Sequence, residues 1–313
     1  MFTWTYDAPS GTYKSHFVSE KLREASIAQT VFMRFVETES GYGKRAGETV
    51  TIPRASNLTE PTQPRINEST GIPIDKISLS TTSVTVKEFG RGVEFTNILR
   101  DLSKVEIPEV HRRALQKQMK LSLDTAAAAA FKVAKVCGIP TGVAELTWDT
   151  DGTPSTAAVS NVNFYHLEQI RDYLYGTLFA EPFADGDYIG IFHTKACRGI
   201  KQDPKFEEWN KYTNREAKMS GEIGRIEGIR IIETNHSNAL SGTKGTGSVL
   251  GEGIVFGANA VTMAVAEDPE LRMAQPSDFG RKLAIAWYGV LEFGIIWDTA
   301  NAGEASIVRV TSA

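Results

Sequence analysis

The alternation of apolar and polar residues divides the chain into segments of different character. Residues 46–98 alternate as strands do, but few of their side chains are large and apolar. The apolar positions are even at Val84 and odd from Phe89 onward. Because successive strand residues face opposite sides, such a change of phase requires a bulge or a turn, which we place at Gly90 and Gly92.

The same segment has too little apolar surface to be stable alone. Its first half, RASNLTEPTQPRINESTGIP, is polar and punctuated by proline. An isolated two-stranded ribbon is at best marginally stable in water. We therefore expect residues 46–98 to pack on the rest of the chain or on a neighbouring copy.

The strongest helical pattern covers residues 107–137. Pro108 suits a first helical turn, and Gly138 with Pro140 forms a stop signal. A helix of this length would extend roughly 45 Å, like a strut. One stripe of it is apolar, at Leu115, Met119, Ala126, Ala130, Val133 and Cys137. The opposite stripe is charged, at Arg113, Lys117, Lys120, Asp124 and Lys135.

The remaining elements mix helices and strands, so the sequence predicts the α+β class. Helical patterns cover residues 20–37, 163–179, 194–202 and 206–213, and a buried strand covers 188–193. The β-branched, alternating stretches GIVFGANAVTMAVAE, KLAIAWYGVLEFGIIW and ASIVRVTS predict further strands.

Three glycines precede a strand in GEIGRIEGIRIIETN, at Gly221, Gly224 and Gly228. A phosphate-binding loop places its glycines between a strand and the start of a helix. This context differs, and the spacing is not G-x-G-x-x-G. We therefore predict turn glycines in a hairpin.

Composition is ordinary for a soluble globular protein, with a net charge of −4, and 313 residues suffice for one large domain or two ordinary ones. Nothing indicates a secretory signal, and the longest apolar stretch, residues 283–297, is too short to span a bilayer. Synthesis inside the cell is therefore expected. Cys137 and Cys197 have no metal-ligand spacing, and we predict two buried, reduced thiols.

The polar residues match no catalytic motif. The five histidines form no H-E-x-x-H pair, the aspartate–glycine clusters suit turns, and no serine lies in G-x-S-x-G. We therefore predict no catalytic residue, metal or cofactor. The long helix has a basic excess, which is typical of a solvated face and at most of weak polyanion contact.

Three stretches resemble a known family. They are VTVKEFGRGVEFTNILRD, HRRALQKQMKLSLDTAAAAAFKVA, and YIGIFHTKACRGIKQDPKFEEWNKY followed by GEIGRIEGIRIIETN. Together they resemble major capsid proteins of tailed bacteriophages with the HK97 fold, most closely the branch named after the phage N4 capsid protein. The resemblance covers essentially the whole chain.

The resemblance implies a division of the chain. It comprises an N-terminal arm (1–45), an extended loop (46–98), a peripheral domain (99–160) with a spine helix (107–137), an axial domain (161–262) and returning peripheral strands (263–313). The extended loop would lie over a neighbouring subunit. The axial domain would point at the centres of hexamers and pentamers.

The implied function is structural. Copies of the chain would assemble through hexamers and pentamers into an icosahedral phage head around double-stranded DNA, in the virion, after synthesis in the host cytoplasm. Scaffolding, portal and decoration proteins are further implied partners, the DNA contacts would be non-specific, and no membrane is involved. An encapsulin-like bacterial compartment is the alternative, and an enzyme ranks third.

Two sets of residues are predicted to matter for assembly. The inter-subunit set is Arg54, Glu60, Arg65, Lys76, Phe89, Gly90, Arg91 and Gly92. The second set lies in a Gly- and Ser-rich loop expected near a symmetry axis, and comprises Ser241, Lys244, Gly245 and Gly247.

Overall fold

Two β-sheets, one long helix and a separate two-stranded ribbon make up the fold in the computed structural model. The structure describes residues 26–39, 42–43, 45, 47–56, 58, 61, 65–66, 68, 71–103, 105–152, 157–206, 222–242, 251–297 and 303–313. The α+β class is confirmed.

The strands are β1 (Glu37–Thr38), β2 (Thr49–Ala55), β3 (Leu79–Thr85), β4 (Lys87–Thr96), β5 (Cys137–Gly142), β6 (Glu145–Asp149), β7 (Tyr188–His193), β8 (Glu222–Ile226), β9 (Ile229–Thr234), β10 (Gly251–Phe256), β11 (Val261–Met273), β12 (Lys282–Ile295) and β13 (Ile307–Ser312). The helices are α1 (Asn97–Leu102), α2 (Ile107–Phe131), α3 (Phe164–Asp172) and α4 (Cys197–Gln202). A 3₁₀ turn covers Phe32–Phe35, and a π-helical turn, Tyr173–Thr177, continues α3.

The larger sheet has seven strands in the order β6-β5-β13-β10-β7-β9-β8. Strands β7, β10 and β13 are buried along their whole length, including the polar residues Glu252, Arg309, Thr311 and Ser312. Helices α3 and α4 pack on this sheet through Leu167, Ile170 and Ile200. The sheet draws strands from the peripheral and axial segments of the sequence, so the predicted domain boundaries stay a prediction.

The smaller sheet has the order β1-β11-β12-β4, and α2 packs on it. Leu115 of α2 contributes to one core cluster with Phe95 of β4 and Trp287 of β12. The small residues Ala127 and Ala128 are fully buried where the helix meets the rest of the chain. The alanine run therefore allows close approach of neighbouring elements, as the sequence indicated.

The long helix is shorter than predicted. It ends at Phe131, so its 25 residues extend about 37 Å. Cys137 and the supposed stop signal at Gly138 and Pro140 lie inside β5, where Cys137 pairs with Arg309 of β13. The prediction failed because the strand partner is far away in sequence. Both cysteines are buried and reduced, as predicted.

The charged stripe predicted for α2 includes Asp124, which is instead fully buried. Its Oδ1 atom accepts hydrogen bonds from the backbone N–H groups of Val31 and Phe32, at 2.9 and 2.8 Å. Its Oδ2 atom lies 3.0 Å from Nδ1 of His236. A buried carboxylate is stable only with such partners, and the sequence pattern does not reveal them.

The helix predicted over residues 20–37 is also wrong in its described part. Residues 32–35 form a single 3₁₀ turn, and Glu37 and Thr38 pair with Thr262 and Met263 of β11. The backbone N–H groups of this segment bind Asp124 instead of continuing a helix. The arm is therefore held by partners distant in sequence.

The hairpin predicted for the GEIG stretch is confirmed over its described residues, 222–235. Strands β8 and β9 are antiparallel and are joined by a two-residue turn at Glu227 and Gly228. Both residues have positive φ, 46° and 79°. This is the backbone shape that tight hairpins prefer, and glycine adopts it without steric cost. The described part of the stretch forms no phosphate loop.

The change of strand phase lies at Val86, between β3 and β4, and not at Gly90 or Gly92. Strand β4 pairs with β12 from Lys87 to Thr96 with no shift of register. Gly90 serves another purpose there. A Cβ atom at Gly90 would lie 2.9 Å from the backbone oxygen of Trp287, closer than real Cβ contacts.

We expect Gly90→Val to weaken the packing of β4 on β12, because the backbone of Trp287 must move to admit the side chain. Overpacking of this kind costs about 1–3 kcal/mol. Chemical denaturation of the unassembled subunit measures the loss. Gly71→Val is the control, since a Cβ there meets nothing within 4 Å. Equal midpoints for the two variants would contradict the prediction.

Candidate assembly surface

Strands β2 and β3 form a ribbon that pairs with neither sheet. The two strands are antiparallel, from Thr49 opposite Thr85 to Ala55 opposite Leu79. The backbone N–H of Ser56 donates to the carbonyl of Ser78 at 3.1 Å and closes the ladder. The segment between these two serines, residues 57–77, is called the tip below.

The base of the ribbon is fastened to the end of β12. Nη1 of Arg54 and the hydroxyl of Thr82 both donate to the carbonyl oxygen of Ile296, at 3.2 and 3.1 Å. Val84 is buried and packs over Gly294. The ribbon therefore has a fixed exit from its own subunit, and Arg54 contributes to that fixation.

The described residues of the tip and its flanking strand expose large aliphatic side chains. Ile74, the most exposed of them, is at 88% of its reference area. The full set is Leu58, Ile66, Ile72, Ile74, Ile77 and Leu79. Clustered apolar exposure of this kind marks a contact surface. The polar character predicted for this segment overlooks the aliphatic residues, although the spacing of Ile72 and Ile74 is visible in the sequence.

The structure places the described members of the predicted inter-subunit set at three locations, the first being Arg54 at the base of the ribbon. Arg65 and Lys76 are exposed on the tip, beside the aliphatic side chains. Phe89, Gly90, Arg91 and Gly92 lie instead in the regular strand β4, where Phe89 is half-buried against the core of its own subunit. Glu60 lies outside the described residues. The role of the set in assembly stays a prediction.

The predicted axis loop is described only at its start. Ser241 is anchored to β10, because its N–H donates to Oε2 of Glu252 at 2.8 Å and its carbonyl accepts from the N–H of Glu252 at 3.0 Å. Glu252 also pairs with Lys132 at 3.1 Å. The other predicted positions, Lys244, Gly245 and Gly247, lie outside the described residues.

The described histidines and cysteines have structural surroundings. His166 accepts a hydrogen bond from the N–H of Asn163 at the start of α3, and His193 accepts one from the N–H of Lys195, both at 3.2 Å. Burial lowers the pKa of His166 and of His193. Burial also raises the pKa of the Cys197 thiol to about 12, which disfavours the reactive thiolate.

In the part of the chain that the structure describes, His, Cys, Asp and Glu side chains form no group of three or more that could hold a metal ion. None of the helices in this part of the chain is both long enough and apolar enough to cross a membrane.

The basic excess on α2 is partly neutralised by nearby carboxylates. Arg112 and Arg113 both bind Glu109, at 2.8 and 2.9 Å, and these hydrogen bonds lower the pKa of Glu109 to about 2. Lys132 pairs with Glu252. The helix therefore offers less positive charge to a polyanion than its sequence indicates.

Comparison with solved structures identifies the fold. The chain is similar to the head structure of Helicobacter pylori bacteriophage KHP40, with a TM-score of 0.70 and 13% identity over 96% of each chain. It is also similar to the capsid of Ralstonia phage GP4, with a TM-score of 0.70 and 11% identity over 99% of this chain and 98% of that one. The chain has the HK97-like capsid fold.

A third similar structure, the cyanophage Pam1 capsid, also matches nearly the whole chain. Its TM-score is 0.68, with 15% identity over 98% of each chain. By contrast, no protein-family model and no curated protein matches the sequence. The likeness to these capsids therefore lies in the three-dimensional arrangement, at 11–15% sequence identity.

Proposed function

We propose that the chain is the major capsid protein of a tailed bacteriophage. Its copies assemble through hexamers and pentamers into an icosahedral head that encloses double-stranded DNA. The single observation that carries this proposal is the ribbon with its exposed aliphatic tip on a capsid fold. Such a surface is costly to leave in water and is covered when another copy packs on it.

The geometry of the ribbon supports head-to-tail contact. Its base is fastened near Ile296, whereas the aliphatic side chains of the tip find no cover among the described residues of their own subunit. A contact between two different surfaces of identical subunits is heterologous, and it closes into rings when the rotation permits. Hexamers and pentamers are rings of this kind.

The same proposal includes the domain roles. The seven-stranded sheet with α3 and α4 would form most of the axial domain, and α2 with the four-stranded sheet would form most of the peripheral domain. Membership of the N4 branch is supported by the GEIG hairpin and the strand that follows it. The phage heads and capsids among the structural neighbours favour a phage shell over an encapsulin-like compartment.

An assembly role also fits the chemistry of the described residues. His166 and His193 hold backbone groups, His236 pairs with Asp124, and the pKa of Cys197 is raised, so none of these side chains supplies an evident catalyst. The remaining lysines of α2 would provide only weak, non-specific DNA contacts. Scaffolding, portal and decoration proteins, and a virion location after assembly in the host cytoplasm, complete the proposal.

Electron microscopy of the purified protein tests the assembly proposal. We expect closed icosahedral particles when the chain is expressed alone or with the neighbouring genes of its source. Particles recovered from infected cells should protect DNA from nuclease. Small discrete oligomers under all these conditions would contradict the proposal, and icosahedral particles filled with a protein cargo would favour the bacterial compartment.

A further inference from the structure

The turn between β11 and β12 presents a fully exposed aromatic side chain. Phe279 is at 106% of its reference accessible area, the highest value among the large hydrophobic side chains of the described residues. Strand β12 alternates buried and partly buried residues, and β11 becomes exposed towards the turn. The phenyl ring at the end of this hairpin has no cover among the described residues of its own subunit.

The backbone beneath this ring is in an unfavourable conformation. Asp278, Phe279 and Gly280 have successive φ values of 52°, 53° and 87°. The left-handed region suits glycine, but a bulky residue there is an outlier. Unfavourable backbone of this kind clusters at functional positions.

The turn is nevertheless held firmly. The N–H of Arg281 donates to the carbonyl of Asp278 at 3.0 Å. The backbone N–H of Asn97 donates to the carbonyl of Arg281 at 2.9 Å, and the Asn97 side chain donates to the carbonyl of Gly280. Phe279 is therefore a preorganised knob that loses little backbone freedom when it is buried.

An apolar groove lies on the same hairpin, at the turn end of its two strands. Its volume is about 320 Å³, and it crosses β4, β12 and the end of β11. Glycine and alanine leave room between larger side chains, and Met273 at one edge is 68% exposed. Residues that line it include Gly92, Val93, Glu94, Arg272, Met273 and Ala286.

We infer that Phe279 of one copy of the chain inserts into this groove on another copy. The inference rests on the proposed assembly function, because it requires subunits to meet in a shell. The occupant is a second copy because the chain itself supplies an unburied ring and an unfilled groove. Aromatic anchors seated in pockets dominate many protein interfaces.

One charge of opposite sign on each side is available for pairing across the contact, since the other charge in the groove lining, Arg272, is paired with Glu267 and Glu270 of its own strand. Arg281, next to the knob, has a side chain that is 73% exposed and lies 3.6 Å from Asp278 of its own turn. Glu94, in the groove, is 54% exposed and lies 3.4 Å from Lys282. Both side chains keep enough exposed surface for a further partner. Insertion would bring the guanidinium of one copy towards the carboxylate of the other, which favours this orientation of the two hairpins.

Cysteine pairing in assembled particles tests the contact. Both natural cysteines are buried, so introduced thiols are the reactive ones. Particles made from a mixture of Asp278→Cys and Met273→Cys subunits, both of which keep the Phe279 ring, should give a covalent dimer on mild oxidation, since a disulfide requires Cα atoms within about 7 Å. Val143→Cys, at a position 74% exposed, replaces Met273→Cys in the control mixture.

A second measurement separates assembly from folding. Phe279→Gly relieves the backbone conformation, so the melting temperature of the isolated subunit should not fall. The yield of particles should fall at least about tenfold when the contact of the Phe279 ring is lost. A tenfold fall requires a loss of only about 1.4 kcal/mol of contact energy. Val143→Ser should leave the yield unchanged.

The outcomes distinguish the two proposals. If the natural chain forms no particles, the proposed function fails. If particles form but the mixed cysteines give no more dimer than the control mixture, the groove contact is wrong while the proposed function stands. Normal particle yield from Phe279→Gly would overturn the contact as well.

Discussion

Excision of the ribbon tip should abolish shell assembly and leave a folded subunit. In this variant an Asn-Gly turn replaces residues 57–77 and joins Ser56 to Ser78, which already pair across the ribbon. Asn-Gly is a favoured two-residue connection in tight β-hairpins. Sedimentation should show particles reduced at least about tenfold, since burial of one aliphatic side chain contributes about 1.5–3 kcal/mol.

The excised segment is chosen so that the core stays intact. A wider deletion of residues 46–98 would remove β4, which pairs with β12 along ten residues. A second variant keeps the length of the tip and replaces Ile72, Ile74 and Ile77 by serine, so it separates apolar contact from loop length. Normal shells from both variants, with unchanged unfolding midpoints, would refute the role of the tip.

Replacement of Asp124 by alanine should destabilise the subunit strongly. The change leaves the N–H groups of Val31 and Phe32 without their acceptor and removes the partner of His236. Removal of a buried acceptor costs about 1–3 kcal/mol for each donor that is left unsatisfied. Denaturant unfolding of the unassembled subunit, for example in the tip-excised background, measures the change.

Two further variants serve as comparisons for the unfolding of Asp124→Ala. Asp172→Ala is the control, since the exposed pair with Arg171 should contribute at most about 1 kcal/mol. His236→Gln should cost less than Asp124→Ala, because the arm N–H groups keep their acceptor. If Asp124→Ala and Asp172→Ala unfold at the same denaturant concentration, Asp124 does not hold the arm.

Local patterns predicted local structure well. The hairpin at Glu227 and Gly228, the buried strand β7 and the amphipathic α3 follow from residues within a few positions of each other. The predicted end of α2 is wrong because Cys137 joins a sheet by pairing with Arg309, which lies 172 positions later in the chain. Alternation and stop signals carry no information about such partners. Apart from Phe206, the helix predicted over residues 206–213 lies outside the described residues.

The candidate surface was only partly predictable. The extended ribbon followed from strand alternation without a core, but the turn assigned to Gly90 lies at Val86. Asp124 resembles a surface charge in the sequence because its partners come from the arm and from His236. The exposed Phe279 also carried no signal, since an aromatic residue beside glycine fits a buried strand end equally well.

The position of β13 has a consequence for the timing of synthesis. This strand lies between β5 and β10, so it links the β5–β6 hairpin to the rest of the seven-stranded sheet. Residues 137–149 emerge from the ribosome long before residues 307–312, and they cannot join that sheet until the later strand has been translated. Nascent chains therefore lack a completed sheet, which delays the moment at which a subunit becomes competent to meet its copies.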